Sequence, residues 1–238
     1  MVLELSGPGA WEEPARAAEA IAERERLPYV LWTVSWVEMS LAALRGDLVE
    51  ADRRRDHVLA LAREVALPIG DIPPVIVDTV RHVWEPRPAD AEVAELIVAQ
   101  DLVHPGPGAG LGHGLLARVG DPAVLRRSMT EHPPTETLET WATFMLACFE
   151  VEAASVVGDV AVARRWARVL EPLAGRMALA GVSLVFGPVD GYLALASATT
   201  GDREAAGRLA DRALTQAREW RLPAYRDWLL AQRARLAF

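Results

Sequence analysis

Apolar residues along this chain recur at intervals of three and four, and the runs are separated by short breaks carrying Gly, Asp or Pro. Ala51, Val58, Leu59, Leu61 and Ala62 form one such stripe, and Ala206, Leu209, Ala210, Ala213 and Leu214 form another. That spacing places each set on one face of an α-helix. Stripes and breaks together predict helices near residues 12–26, 29–45, 48–65, 73–84, 90–101, 109–119, 122–131, 136–157, 160–175, 188–200, 203–219 and 224–236. No segment sustains a two-residue alternation, so no run of strands is predicted.

The breaks repeat. Gly-Asp occurs at Gly46-Asp47, Gly120-Asp121, Gly158-Asp159 and Gly201-Asp202, at successive intervals of 74, 38 and 43 residues. The first interval spans two periods, and Pro86 to Asp90 falls where the missing turn belongs. Glycine tolerates the left-handed conformation that closes a helix, and aspartate caps the next one. Each dipeptide is therefore read as a helix-turn-helix joint. The return connections end in Leu27-Pro28, Leu67-Pro68 and Leu222-Pro223, and Arg-Leu-Pro recurs at Arg26 and Arg221. About twelve helices with a period near 40 residues predict an all-α, right-handed helical-repeat solenoid, each pair burying a face it cannot cover alone. One domain is expected over residues 1–238, with a hinge near 104–114.

Composition narrows the function. At 238 residues the chain can bury a core without a metal or disulfide, and Cys148, alone in an apolar run, reads as a small buried hydrophobe. The net charge of −8 disfavours a nucleic-acid partner. All 25 basic residues are arginine, which excludes a lysine-bearing phosphate loop, a Schiff base and a Ser-Lys dyad. No signal segment is evident over Met1 to Trp11. The longest apolar stretch, Ala178 to Phe186, is too short for a membrane span, so no membrane association and a cytoplasmic location are expected.

Several constellations bear on chemistry. Asp78 and His82, four apart, share a helical face as a metal pair would, but no third ligand is near and a surface ion pair explains them more simply. The glycines at 106, 108, 110, 112 and 114 resemble a dinucleotide fingerprint, but the preceding Glu92 to Leu102 is spaced as a helix where that motif requires a strand. A glycine-softened helix that allows close packing or bending is the preferred reading. Arg53 to Arg55, Arg126-Arg127 and Arg164-Arg165 fit salt-bridged outer faces better than an anion site. No catalytic triad, nucleophile elbow or metal run is written in the chain, so no catalytic residue, metal or cofactor is expected.

Aromatic side chains offer the strongest binding signal. Tyr29, Trp32, Trp36 and Met39 make one stripe, Trp141, Phe144, Met145 and Phe149 a second, and Tyr192 and Trp228 stand on two further first helices. First helices line the concave face of a solenoid, so Tyr29, Trp32, Trp36, Met39, Trp141, Met145, Asp190, Tyr192 and Trp228 are the candidate ligand- or partner-binding set. A core uses aromatic stripes in the same way, and both readings stand. Glu38, Glu150, Glu152 and Asp190 are candidate polar anchors.

The segment Gly187-Pro188-Val189-Asp190-Gly191-Tyr192-Leu193-Ala194-Leu195, followed by Gly201-Asp202, Ala205-Ala206 and Ala213-Leu214, resembles the last tetratricopeptide-like repeats of large bacterial ATP-dependent signal-response regulators. These are the STAND-class regulators with outputs of the LuxR or bacterial-transcriptional-activator type. Thr140-Trp141, Leu146-Ala147, Glu150 to Ala154, Gly158-Asp159, Leu170-Glu171-Pro172 and Ala174-Gly175-Arg176 are similar to the preceding repeat. The chain has no phosphate-binding loop or helix-turn-helix output, so the resemblance implies only the sensor portion. It implies a non-catalytic module that binds a small-molecule or peptide effector, or a protein partner, in a concave groove and signals to an attached or separate ATPase switch domain. A stand-alone adaptor joining two proteins, or an all-helical enzyme of unrecognised type, are the alternatives.

Overall fold

The computed structural model describes residues 6–65, 74–87, 90–101, 108–133, 143–181 and 184–238. In chain order its helices are α1 (Pro8–Glu25), α2 (Pro28–Leu44), α3 (Leu48–Val65), α4 (Pro74–Trp84), α5 (Asp90–Asp101), α6 (Gly108–Val119), α7 (Pro122–Glu131), α8 (Thr143–Val157), α9 (Val160–Leu170), α10 (Val189–Thr199), α11 (Arg203–Glu219) and α12 (Pro223–Leu236). Each predicted helix has its counterpart. The fold is all-α apart from one hairpin, β1 (Met177–Ala180) and β2 (Leu184–Pro188).

The Gly-Asp joints do two jobs in one dipeptide. Gly46, Gly158 and Gly201 take left-handed φ values of 76°, 77° and 93°. The next residue's N–H then closes the finished helix: those of Asp47, Asp159 and Asp202 donate at 2.9 Å to the carbonyls of Ala42, Ala154 and Ser197. The same aspartates cap the following helix, their side chains accepting from the backbone N–H groups of Glu50, Val162 and Ala205. Asp121 caps α7 through Ala123 N–H, but Gly120 is not among the glycines with positive φ.

The Arg-Leu-Pro tripeptides are also one structure used twice. Arg26 and Arg221 are left-handed at φ 54° and 55°, Leu27 and Leu222 each donate at 2.8 Å to the carbonyl of Ala22 or Ala217, and the proline begins the next helix. Proline suits that first position because its missing N–H has no partner there.

The first helices of the pairs form a closed series. α2 packs on α4, α4 on α6, α6 on α8, α8 on α10 and α10 on α12, and α12 returns to α2. Helices of an open solenoid touch only neighbouring repeats. Here the remaining helices pack against that series: α1 and α3 on α2, α5 on α6, α7 on α6 and α8, α9 on α8 and α11 on α10. Trp220 lies against Gly7, where a Cβ would come within 2.3 Å of the indole, and Arg235 donates to the Ser155 hydroxyl at 2.7 Å. The start, middle and end of the chain share one core.

The hairpin fills part of the interior and is absent from the sequence expectation. β1 and β2 are antiparallel, with Leu179 opposite Val185 and Ala180 opposite Leu184. Because β2 is buried on both faces, its sequence is a continuous apolar run that gives no two-residue signal. β2 packs on α2 and β1 on α8, and Phe186 meets Phe149 edge-on at 5.1 Å. Gly187, at φ 87°, lets Tyr225 approach so closely that a Cβ would stand 2.2 Å from its ring.

Candidate functional site

Closure of the helix series decides where the predicted site residues lie. Trp32, Trp36, Met39, Met145, Asp190 and Tyr192 are buried, Trp228 is half-buried, and Tyr29 is 48% exposed; Trp141 lies outside the described residues. The concave face expected to hold a ligand is therefore packed core at Trp32, Trp36, Met39, Met145, Asp190 and Tyr192, but not at Tyr29 or Trp228. Tyr29 stacks on Trp32 at 5.9 Å, and Trp32 meets Trp36 edge-on at 4.7 Å. The indole N–H groups of Trp32 and Trp36 are buried with no hydrogen-bond partner among the described residues. Tyr192 and Trp228 belong to a different cluster, 5.0 Å apart and joined by Tyr225 and Trp84. No ring contact links the two clusters among the described residues.

The four carboxylates expected to anchor a ligand instead hold neighbouring helices. Glu38 accepts from Trp11 Nε1 at 2.8 Å. Glu150 Oε1 is 3.0 Å from His113 Nδ1. Both groups are buried, and His113 Nε2 and Glu150 Oε2 have no hydrogen-bond partner among the described residues. Asp190 accepts from the Gly175 N–H at 3.1 Å and pairs with Arg212. A buried carboxylate requires such partners, since its desolvation is otherwise unfavourable by several kcal/mol.

Glu152 is the most elaborate of the four. Its side chain is 0% exposed and that of Arg118 is 3% exposed. Glu152 Oε2 accepts from Arg118 Nε at 3.1 Å and Nη2 at 2.9 Å, and Oε1 accepts from Trp228 Nε1 at 2.7 Å. The guanidinium also donates to the Val83 carbonyl at the end of α4. It lies 4.6 Å from the Trp84 ring centre and 4.9 Å from that of Trp228, inside the range of a cation–π contact. One arginine thus ties together α4, α6, α8 and α12.

This arrangement forms the wall of a cleft of about 510 Å³, bordered by Trp84, Arg118 and Trp228 with Asp227, Gln232 and Gly46 at its edge. The ends of α2, α4 and α6 meet the start of α12 there. Burial pushes the Tyr192 and Tyr225 hydroxyls and the Cys148 thiol up from their ordinary ranges, with the Glu152 charge adding to the shift at Tyr192 and Cys148. Burial pulls Arg235 down.

The other candidate motifs have structural roles. Asp78 pairs with Arg55, while His82 turns to Asp90 at 2.9 Å, so the two do not converge on a metal. No cluster of three potential ligands exists among the described residues. The helix α5 stands where a dinucleotide fingerprint needs a strand. Gly112 and Gly114 serve close packing: a Cβ on either would lie 2.4 Å from Val98 or Phe149. Arg53 and Arg54 pair with Glu50, which falls to about 2. Sequence reasoning missed Trp84, His113 and Arg118. The available signal was Glu150 and Glu152 inside an apolar helix, which implies buried partners but not which ones.

The chain matches no protein-family model, no curated protein and no solved structure. Its class is accordingly defined by its own architecture, an all-helical fold of about twelve helices with one small hairpin. None of its helices among the described residues is long and apolar enough to cross a membrane.

Proposed function

We propose that the chain is a non-catalytic sensor and interaction module of a bacterial transcriptional regulator, which binds a small effector or a partner's side chains in the Trp84–Arg118–Trp228 cleft. The observation that carries this reading is the cleft's wall: two tryptophans from α4 and α12 held against a buried Arg118–Glu152 pair. Aromatic faces on a rigid support supply contact area at low entropic cost. A ligand seated there touches early and late helices at once, so its binding biases how the chain's ends pack, as a sensor requires. The non-catalytic reading is supported by partnered charges: Glu152 accepts hydrogen bonds on both oxygens, and the Cys148 thiol is buried and disfavoured as thiolate. The regulator setting rests on the resemblance of the Gly187–Leu195 and Gly201–Leu214 segments alone.

The test is a thermal-shift screen of small organic effectors, with tryptophan fluorescence as a second readout. Ala231, exposed and lining the cleft, is replaced by Trp to fill the space while Arg118, Trp84 and Trp228 keep their identities. Compounds that raise Tm and quench fluorescence in the native chain, but do neither in Ala231→Trp, support the proposal. Compounds that act equally on both proteins place binding elsewhere and refute it.

A further inference from the structure

A second concave surface lies between α11 and α12, and it differs chemically from the cleft. It is lined by Leu214, Leu222 and Leu230 together with Arg218, Arg221 and Arg226, and its volume is about 440 Å³. Leu230 is 45% exposed. Arg226 pairs with Asp227 at 2.7 Å, whereas Arg218 and Arg221 enter no ion pair among the described residues. Three arginines, two of them without an ion pair among the described residues, thus line a groove with three leucines on a chain of net charge −8.

The chain contains its own control for whether the joint itself requires this chemistry. The turn at Arg221-Leu222-Pro223 repeats the one at Arg26-Leu27-Pro28, 195 residues earlier, with matching φ values and matching 2.8 Å closures. Ala217 corresponds to Ala22, and the Arg-Leu-Pro triplet is the same. Around that shared frame, Leu214 corresponds to Glu19, Arg218 to Glu23, Arg226 to Leu31 and Leu230 to Ser35. The backbone joint therefore forms without these leucines or arginines at those positions. These residues are additions specific to the α11–α12 groove.

We infer that this groove docks an amphipathic helix of a protein partner whose apolar ridge is flanked by Asp or Glu. A groove between two helices receives a convex ridge of side chains spaced by three and four residues. Arginine binds carboxylates in a planar, two-pronged geometry, which suits it to an acidic flank. A bilayer does not fit, because Leu230 is the one exposed leucine among those lining the groove, too little apolar surface to insert. A nucleic-acid backbone would use the arginines and leave the leucines bare.

The test uses the full chain and two fluorescein-labelled helical peptides that share a leucine ridge, one flanked by Glu and the other by Lys. In anisotropy titrations the Glu peptide is expected to bind at least about tenfold more tightly than the Lys peptide, with a strong decline in added salt. The Arg218→Glu/Arg221→Glu chain should lose at least about tenfold for the Glu peptide and gain for the Lys peptide. Leu230→Glu should weaken the Glu peptide as well. These surface changes should leave Tm within a few degrees of the parent. Equal binding of both peptides, or indifference to the charge reversal, overturns the inference. So does sedimentation showing that the chain self-associates through this groove and that Leu230→Glu abolishes it, or retention of anionic vesicles or duplex DNA in place of the peptide.

Discussion

Removing Arg118 tests the central claim about the interior, that one buried ion pair joins helices from across the chain. Arg118 and Glu152 are 3% and 0% exposed and share two hydrogen bonds of 2.9 and 3.1 Å. Arg118→Met fills much of the same volume but leaves a buried carboxylate held only by Trp228. Stranding such a charge destabilises by about 3–5 kcal/mol. For a chain of this size each kcal/mol lowers Tm by roughly 2–4 °C, giving a fall of about 6–20 °C. Glu152→Leu should be of similar magnitude, because the guanidinium then keeps only the Val83 carbonyl and two indole faces. The double variant Arg118→Met/Glu152→Leu strands neither charge, and should lie within about 2 kcal/mol of the parent. Urea unfolding followed by far-ultraviolet circular dichroism, run as a double-mutant cycle, reads the three differences directly. The reasoning fails if the two single losses simply add in the double variant. It fails equally if either single loss is under about 1 kcal/mol, the level of an exposed pair.

Three further outcomes are expected. Gly114→Ala should destabilise by about 1–3 kcal/mol, since the new Cβ would lie 2.4 Å from the Phe149 ring, whereas Gly207→Ala in α11 meets nothing within 4 Å and should stabilise by up to about 1 kcal/mol; thermal melts of the pair check both signs. Trp36→Ala, at a site 3% exposed, should lose about 3–5 kcal/mol, while Tyr29→Ala, 48% exposed, should lose under about 1.5, as measured by denaturant midpoints. Tyr192 and Tyr225 have hydroxyls raised by burial above the ordinary value of 10. A raised folded-state value contributes stability that is complete below 10 and lost as pH climbs beyond it. Ultraviolet titration should therefore show these two phenols ionising only together with unfolding, and Cys148 should resist thiol reagents until the same point.

The local layer of this protein is legible in its sequence because local physics sets it. Gly46-Asp47, Gly158-Asp159 and Gly201-Asp202 close and cap helices through contacts within five residues, so the dipeptide alone carries the geometry. The same holds for Arg26-Leu27-Pro28 and Arg221-Leu222-Pro223. Helical stripes likewise follow from a fixed 3.6-residue period. The hairpin escaped because Leu184 to Pro188 is buried on both faces, which erases the alternation that reveals a strand.

The site belongs to the tertiary layer. Helical spacing allows Trp32, Trp36 and Tyr192 to be groove or core, and the packing of the helices on one another makes them core. The sequence placed Glu152 in an apolar helix, which implies a partner, yet Arg118 is 34 residues away and Trp228 is 76. No local rule pairs residues at such separations. Their meeting depends on how six helices close on one another, and that closure is determined by the summed fit of side chains rather than by any motif.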